Sequence, residues 1–482
     1  MSLKLSHYIV VTEPIDSKGR RILLSTRTSR NIIITQGCLD YLQSGRIEEV
    51  PEKTLEKLKE IKAIVPSEED ELLTIVNENK RSIEEESSTL YEVMQPSANC
   101  QLGCYYCGQQ HTKDQMDVSL INKIEERIRS KAASGKFTHL YIGWFGAEPL
   151  MGLRQIRELT TVFKQIAHDF SLGYGAKVVT NGLSLKEAIF DELVGELAVN
   201  SIEVTLDGTE TYHDQHRHTK ESGKSFALIF QNLKNILTKP DFEKLGCQIT
   251  IRCNVDQNNF EGVTPLMELL KENNLHQKIA NFYPIGIYSW GNDAHKKSLT
   301  KEEFAQRELV WLAQKIKNNF RVSSLIPNRV KKVCFTVSKH SEMYDSYGNV
   351  FDCSEVSYVP VYKGSEFVLG NINNASPTTK FKRSVLNDWN DTILTDKFPC
   401  HTCEMLPVCG GCCPKSWHED MRACPTNKFN IKDKLMMSYV LNQPTKQDLK
   451  NKLLEISSLY PKKEWISEIH DLFYLSETTS NA

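Results

Sequence analysis

The chain has 482 residues, 59 Lys and Arg against 61 Asp and Glu for a formal net charge of −2, and 40% hydrophobic and 25% charged residues. That length predicts two or three domains at roughly 100–200 residues each, and the composition excludes a disordered or fibrous chain. The near-neutral balance argues against nucleic-acid binding by phosphate neutralisation. No run approaches the ~18 apolar residues of a membrane span, and no basic start precedes an apolar run, so a cytoplasmic protein with no membrane partner is expected.

Residues 1–88 read as a small module. His7–Glu13 and Arg20–Arg27 are strand-like and joined by a polar turn at Asp16–Gly19; Asn31–Thr35 is a third short apolar run, and Cys38–Gly45 begins a helix. Leu55, Leu58 and Ile61 stand at helical spacing, and Pro66-Ser67-Glu68-Glu69 is expected to cap the next helix. The polar run 78–89 reads as a solvated helix or linker. From 89 to 300, strand-like runs at Thr89–Pro96, Thr138–Gly146, Ala176–Gly182, Ser201–Gly208, Gln248–Val255 and Ile279–Gly286 alternate with helices such as Ser119–Ala132 and Leu185–Ala198. Repeated β-α units predict a parallel sheet, closed or nearly so, with the chemistry at the C-terminal strand ends. A helical bridge over 301–333, a cysteine-rich, loop-like region over 334–430 and two helical stretches in 431–482 complete the chain.

Fourteen cysteines in a reducing compartment are better suited to metal ligation or catalysis than to disulfides. Cys100, Cys104 and Cys107 follow the first barrel strand with Cys-x3-Cys-x2-Cys spacing. Gly103 permits a sharp turn, so that three thiolates converge on one face of a loop. Iron–sulfur cubanes take four cysteines, and three leave one iron open to a ligand. The alternative is a structural zinc site with His111 as the fourth ligand.

The cluster resembles the signature of the radical S-adenosylmethionine (SAM) enzymes, Cys-x3-Cys-x-aromatic-Cys, with Tyr106 at the aromatic place. Gly146-Ala147-Glu148-Pro149 is similar to that family's Gly-Gly-Glu-Pro element, Ala147 departing from the second glycine. Thr180-Asn181-Gly182, Thr205–Gly208 with Asp207, His213–Arg217 and Ile251–Asn254 with Arg252 resemble the elements at the following strand ends. The resemblance implies that Cys100, Cys104 and Cys107 hold a [4Fe–4S] cluster chelated by SAM. It assigns SAM contacts to Tyr106, Gly146, Ala147, Glu148, Pro149, Thr180, Asn181, Asp207, Arg217 and Arg252. The implied chemistry is reductive cleavage of SAM to methionine and a 5′-deoxyadenosyl radical, with electrons from a flavodoxin- or ferredoxin-type donor. Taken singly, each strand-end element is also an ordinary turn or ion pair.

The second cysteine region reads Cys334-x13-Gly348-x4-Cys353, then Cys400-x2-Cys403-x5-Cys409-x3-Cys413, then Cys424. Seven cysteines exceed one four-ligand site, and Cys-x2-Cys pairs alone would read as zinc ribbons. The full pattern resembles the SPASM extension of peptide-modifying radical SAM enzymes, which holds two auxiliary [4Fe–4S] clusters, for three in all. By motif position Cys334, Cys353 and Cys413 would hold auxiliary cluster I, and Cys400, Cys403, Cys409 and Cys424 auxiliary cluster II. The fourth position of cluster I is open, or filled by Asp352 or Cys412. Cys38, Cys247 and Cys253 are expected to pack as small hydrophobes.

The fold implied is α/β: a partial (β/α)6 TIM-like barrel with an N-terminal winged-helix-like module and a C-terminal Fe–S-binding SPASM domain. Residues 1–88 resemble, by pattern, the leader-binding RiPP recognition element of ribosomal-peptide maturases, where a precursor's leader adds as a strand to a sheet edge. The function implied is maturation of a precursor peptide through a thioether or another side-chain crosslink. The alternatives are an anaerobic sulfatase-maturase-like formylglycine-generating enzyme, in which an Asp is expected where Ser354 stands, and a non-catalytic Fe–S or zinc scaffold. Asp352 and Glu355 are the candidate proton acceptors, and Trp144, Phe145, Tyr283, Tyr288 and Trp290 are barrel-top aromatics that line a peptide channel or the core.

Overall fold

The computed structural model describes residues 2–85 and 88–470; Glu86 and Ser87 of the polar run and residues 471–482 of the 431–482 segment lie outside them. Strands β1 (Leu3–Leu5), β2 (Ile9–Val11), β3 (Arg21–Ser25) and β4 (Arg30–Ile34) open the chain. The turn between β2 and β3 forms because Asp16 Oδ1 accepts from the Lys18 and Arg20 amides at 3.1 and 3.0 Å. Helix α1 (Gln36–Gln43) starts at Thr35, whose hydroxyl accepts from Cys38 N, and α2 (Glu52–Glu60) follows. Pro66 does not cap a helix: it ends strand β5 (Ile64–Pro66), paired antiparallel with β1. Helix α3 (Glu71–Glu85) is capped instead by Asp70, which accepts from Leu73 N at 3.0 Å.

The antiparallel sheet β2-β3-β4 is covered on both faces, as period-two alternation requires. Leu23 and Ile34 face Leu39, Leu42 and Leu58 of the module itself. Val10, Ile22 and Leu24 face the other way, onto Leu309, Met405, Val408, Ile431 and Leu435.

Six parallel strands form the barrel wall in sequence order: β6 (Thr89–Met94), β7 (His139–Trp144), β8 (Gly173–Thr180), β9 (Val199–Thr205), β10 (Gln248–Val255) and β11 (Asn281–Gly286). Between them run α4 (Val118–Ala132), α5 (Leu153–Asp169), α6 (Glu187–Gly195), α7 (Glu210–His216), α8 (Phe226–Leu237) and α9 (Val263–Glu272). Their apolar faces and the strands make one core, from Leu90 and Ile124 through Phe163 and Val204 to Phe282. Register puts the site-bearing strand ends on one rim: Met94 opposite Trp144, Thr180 opposite Val204, and Thr205 opposite Arg252.

Helix α10 (Lys301–Lys317), opened by a Thr300–Glu303 capping box, leads out of the barrel. The region expected to be loop-like then adds three strands to the barrel's own sheet. Strand β12 (Met343–Tyr344) runs parallel to β6, and β13 (Asn349–Phe351) and β14 (Val368–Asn371) follow antiparallel. Short helices α11 (Trp389–Ile393), α12 (Leu406–Cys409) and α13 (Pro414–His418) carry the later cysteines, and α14 (Asn427–Leu441) and α15 (Lys446–Leu459) close the chain. No helix among the described residues is long and apolar enough to cross a membrane.

Candidate active site

The loop after β6 is held in place by a second loop. Gly103 N donates to His218 O at 2.9 Å, Tyr105 N to His216 O at 3.3 Å, and Lys220 N to Gln101 O at 3.0 Å. Cys107 N closes a turn onto Cys104 O at 3.1 Å. A cavity opens above this loop at the C-terminal rim, lined by Cys100, Cys104 and Cys107 together with Gly146, Ala147, Asn181, Arg217 and Arg252. Burial and neighbouring charges push the Cys100 and Cys107 thiols up to about 12, so they stay protonated at neutral pH until a metal displaces the protons.

Tyr106 forms the cavity floor. Its hydroxyl donates to Asp207 Oδ2 at 2.6 Å and accepts from Arg217 Nη1 at 2.5 Å and Asn254 Nδ2 at 2.9 Å. Asp207 Oδ1 accepts from Asn254 N, and the Asp207 amide donates to His213 Nδ1. Arg217 is buried, held charged by the Cys104, Tyr106 and Asp207 side chains around it, and its Nε has no partner. A buried, incompletely satisfied guanidinium beside three thiols fits an anionic ligand on a thiolate-held cluster. Among the described residues no three His, Cys, Asp or Glu side chains close around a single metal ion. His111, the zinc alternative's fourth ligand, has its Nε2 4.0 Å from Cys107 Sγ.

Glu148 lies behind the cavity wall. Fully buried, it accepts from Thr180 Oγ1 and Asn181 N, both at 2.7 Å, and from Leu150 N at 3.1 Å, and burial raises its pKa despite these donors. It therefore shapes the turn that presents Asn181, whose Nδ2 reaches Cys100 Sγ at 3.8 Å. Of the residues expected at SAM, Tyr106, Gly146, Ala147, Thr180, Asn181, Arg217 and Arg252 line the cavity, and Glu148, Pro149 and Asp207 stand behind it. Ala147 adopts φ +47°, the left-handed conformation that favours glycine, which is where the resemblance expects one.

The two candidate carboxylates part ways. Asp352 turns from the cavity, its oxygens taken by Ser384 N and Oγ at 2.9 and 2.8 Å, with Arg383 at 3.7 Å. Those contacts occupy it as neither base nor cluster ligand. Glu355 lines the cavity, bonded to Tyr288 and Ser354 side chains, and burial lifts its pKa above the ordinary range against the pull of Arg252 and Lys415. It stands near both cysteine regions, since its charge raises the thiol pKa of Cys107 and of Cys353. Phe145, Tyr288 and Trp290 line the cavity, whereas Trp144 is core and Tyr283 donates to Glu203 at 2.7 Å.

Cys353 feels the charges of Cys413 and Cys334, and Cys400, Cys403, Cys409 and Cys424 line one small cavity with Lys428. Lys428 bonds to Cys403 and Arg422 to Cys424, placing positive charge beside these two sulfurs. Cys38, Cys247 and Cys253 are buried in apolar cores. Sequence reasoning missed Gln109 and Asp256: Gln109 lines the cavity, as does Thr205 of the strand-end element already singled out, and Asp256 accepts from Tyr105. Asp256 was marked only by its place directly after β10, and nothing local marked Gln109.

Residues 94–239 match the Radical SAM superfamily. That match spans most of the barrel and supports an enzyme that uses SAM with a [4Fe–4S] cluster. The chain is 22% identical over 346 residues to the cysteine-type anaerobic sulfatase-maturating enzyme of Clostridium novyi (strain NT), covering 66% of this chain and 86% of that protein. It shares the fold of anSMEcpe with bound AdoMet, at TM-score 0.55 and 18% identity over 75% of this chain and 98% of that one. That enzyme is also known with AdoMet and the Cp18Cys peptide bound. Streptococcus suis SuiB aligns at TM-score 0.48 and 14% identity over 87% of this chain and 97% of that one.

Proposed function

We propose that this protein is a radical SAM/SPASM maturase of a ribosomally made precursor peptide, with three [4Fe–4S] clusters. The observation that carries this reading is a single cavity lined by the first cysteine triad, Arg217 and the Gly146–Ala147 turn on one side and by Glu355, two residues past Cys353, on the other. Cys100, Cys104 and Cys107 hold the first cluster; Cys334, Cys353 and Cys413 the second; Cys400, Cys403, Cys409 and Cys424 the third. When bound, the first cluster and SAM supply the one-electron chemistry that takes a hydrogen atom from the substrate.

The chain's own residues do the placing. Arg217, with one Nε–H free, would hold a carboxylate bound in the cavity, and the left-handed turn at Ala147 would offer backbone groups to an ammonium. Phe145, Ile287, Tyr288 and Trp290 exclude water from the same space. Glu355, its pKa raised, takes the proton released when the substrate is oxidised. In this reading residues 1–88 bind the leader, 89–300 are the barrel, 301–333 the bridge, 334–430 the SPASM domain and 431–482 supporting helices. Strand β4 supports leader binding: among the described residues it pairs only with β3, and Ile33 on it is 41% exposed, leaving an edge to which a strand can add. A flavodoxin- or ferredoxin-type donor supplies the electron.

The similarity to the Clostridium novyi enzyme supports a second reading, oxidation of a cysteine or serine to formylglycine. Ser354 stands where that chemistry expects an Asp, which counts against this second reading. Anaerobic incubation with SAM, dithionite and candidate peptides tests both. Loss of two hydrogens with a new crosslink supports the maturase, loss of sulfur from a cysteine the sulfatase-maturase type. Zinc without iron and no 5′-deoxyadenosine would overturn both.

A further inference from the structure

Gln109 lies two residues beyond Cys107 and is 8% exposed. Its Oε1 accepts from Ala147 N at 2.9 Å, and its Nε2 donates to Ser357 O at 3.1 Å. Only one orientation of the amide satisfies an N–H on one side and a carbonyl on the other. The two partners belong to opposite walls of the cavity. Ala147 sits on the turn after β7 at φ +47°, a conformation a non-glycine residue keeps only when its surroundings hold it. Ser357 sits on the loop that carries Cys353 and Glu355. A neighbouring glutamine supports the same loop: Gln95 Nε2 donates to Ser357 Oγ at 2.6 Å. Gln110 N adds a bond to Tyr358 O at 2.7 Å, and Gln95 also packs against Gly146, but of these three residues Gln109 is the one that hydrogen-bonds to both walls.

We propose that Gln109 is a positioning residue that ties the Gly146–Ala147 turn to the Cys353–Ser357 loop. It holds Ala147 in its left-handed conformation and keeps Glu355 in register with the first cysteine loop. Without the tie, Ala147 relaxes toward negative φ, which rotates the peptide groups facing the cavity. The Glu355 loop also loses its link to the opposite wall. For what the cavity holds, this rests on the reading above; the tie itself belongs to the chain alone.

The substitutions separate the two halves. Gln109→Leu removes both bonds. Gln109→Glu keeps an acceptor for Ala147 N but sets a carboxylate against the Ser357 carbonyl. Hydrogen exchange on the reconstituted enzyme should then show Q109L opening both segments 145–149 and 355–361 at least about tenfold faster, and Q109E opening 355–361 alone. With SAM and peptide, Q109L should need about tenfold more SAM for half-maximal deoxyadenosine and form less peptide product per deoxyadenosine. Adding Ala147→Gly to Q109L should restore the SAM requirement but not the product ratio, which a merely structural defect would not do. Unchanged exchange in both segments of Q109L overturns the tie. Should Q109L lose its iron, Q109E carries the same test on 355–361, and unchanged exchange there is equally fatal. Wild-type enzyme that cleaves no SAM, with exchange responding as described, overturns the functional reading and leaves the tie standing.

Discussion

The Tyr106 hydroxyl serves Asp207, Arg217 and Asn254 at once, each within 2.9 Å. Tyr106→Phe leaves two buried donors and one buried acceptor short, a cost of about 1–3 kcal/mol, and frees Arg217 from its fixed angle. A lower Tm and a raised SAM requirement are expected; a variant indistinguishable from wild type in both contradicts this role. Glu355→Gln is expected to cut peptide product by at least about a hundredfold while deoxyadenosine still forms, as removal of a proton acceptor requires. Equal loss of both products would instead make Glu355 a scaffold residue. The cysteine triad was legible from its spacing and Tyr106 from the resemblance that spacing carries, because a loop ligand set needs no tertiary information. Asp352 and Glu355 were not separable, since which of two nearby loop carboxylates faces the cavity depends on Ser384 and Arg383, far off in sequence. Gln109 was invisible for the same reason: both of its partners are non-local.

Two elements are locked by buried charge. Arg127 on α4 makes a two-pronged contact with Glu342, at 2.7 Å on each prong, just before β12. Lys131 bridges Glu92 on β6 and Glu342 at 2.6 and 2.8 Å. This cluster pins the cysteine-rich region to the barrel, and breaking one member of such a pair costs about 3–5 kcal/mol. Arg127→Leu should therefore lose auxiliary iron before it loses the iron of the first cluster, measured by iron content and electron paramagnetic resonance. On α10, Lys315 is buried and donates to Phe282 O at 2.7 Å, and desolvation lowers its pKa to about 8 from 10.5. The unfolded chain thus binds the extra proton between about pH 8 and 10.5, so folding gains stability as pH rises through that window, by up to about 3 kcal/mol. The Tm gap between Lys315→Met and wild type should shift in the wild type's favour from pH 7 to pH 10; a gap constant with pH contradicts the assignment. The helix and strand periodicities announced these elements well. The Pro66–Glu69 cap failed because β5 claims Pro66 for pairing with β1, a contact of 61-residue-distant strands that local pattern does not contain.

Across the whole molecule, the N-terminal module is seated on the cysteine-rich region. Tyr8, Ile75 and Val76 pack with Cys400, Leu406 and Cys424, and Thr26 Oγ1 donates to Glu404 O at 2.6 Å. A ligand on the module's sheet is thus one packed layer from the third cysteine set. The alternation of β and α units made the barrel legible, whereas β12–β14 extending its sheet was not, because strands of two to four residues leave no periodicity to read. The most direct test of the account is metal analysis and SAM cleavage in anaerobically reconstituted protein beside its Cys100→Ala/Cys104→Ala/Cys107→Ala variant. The wild type is expected to hold about 12 iron atoms per chain, as three [4Fe–4S] clusters require, and to release 5′-deoxyadenosine, and the variant to keep about eight and release none. Undiminished deoxyadenosine from the variant, or zinc in place of iron at this loop, would contradict the account.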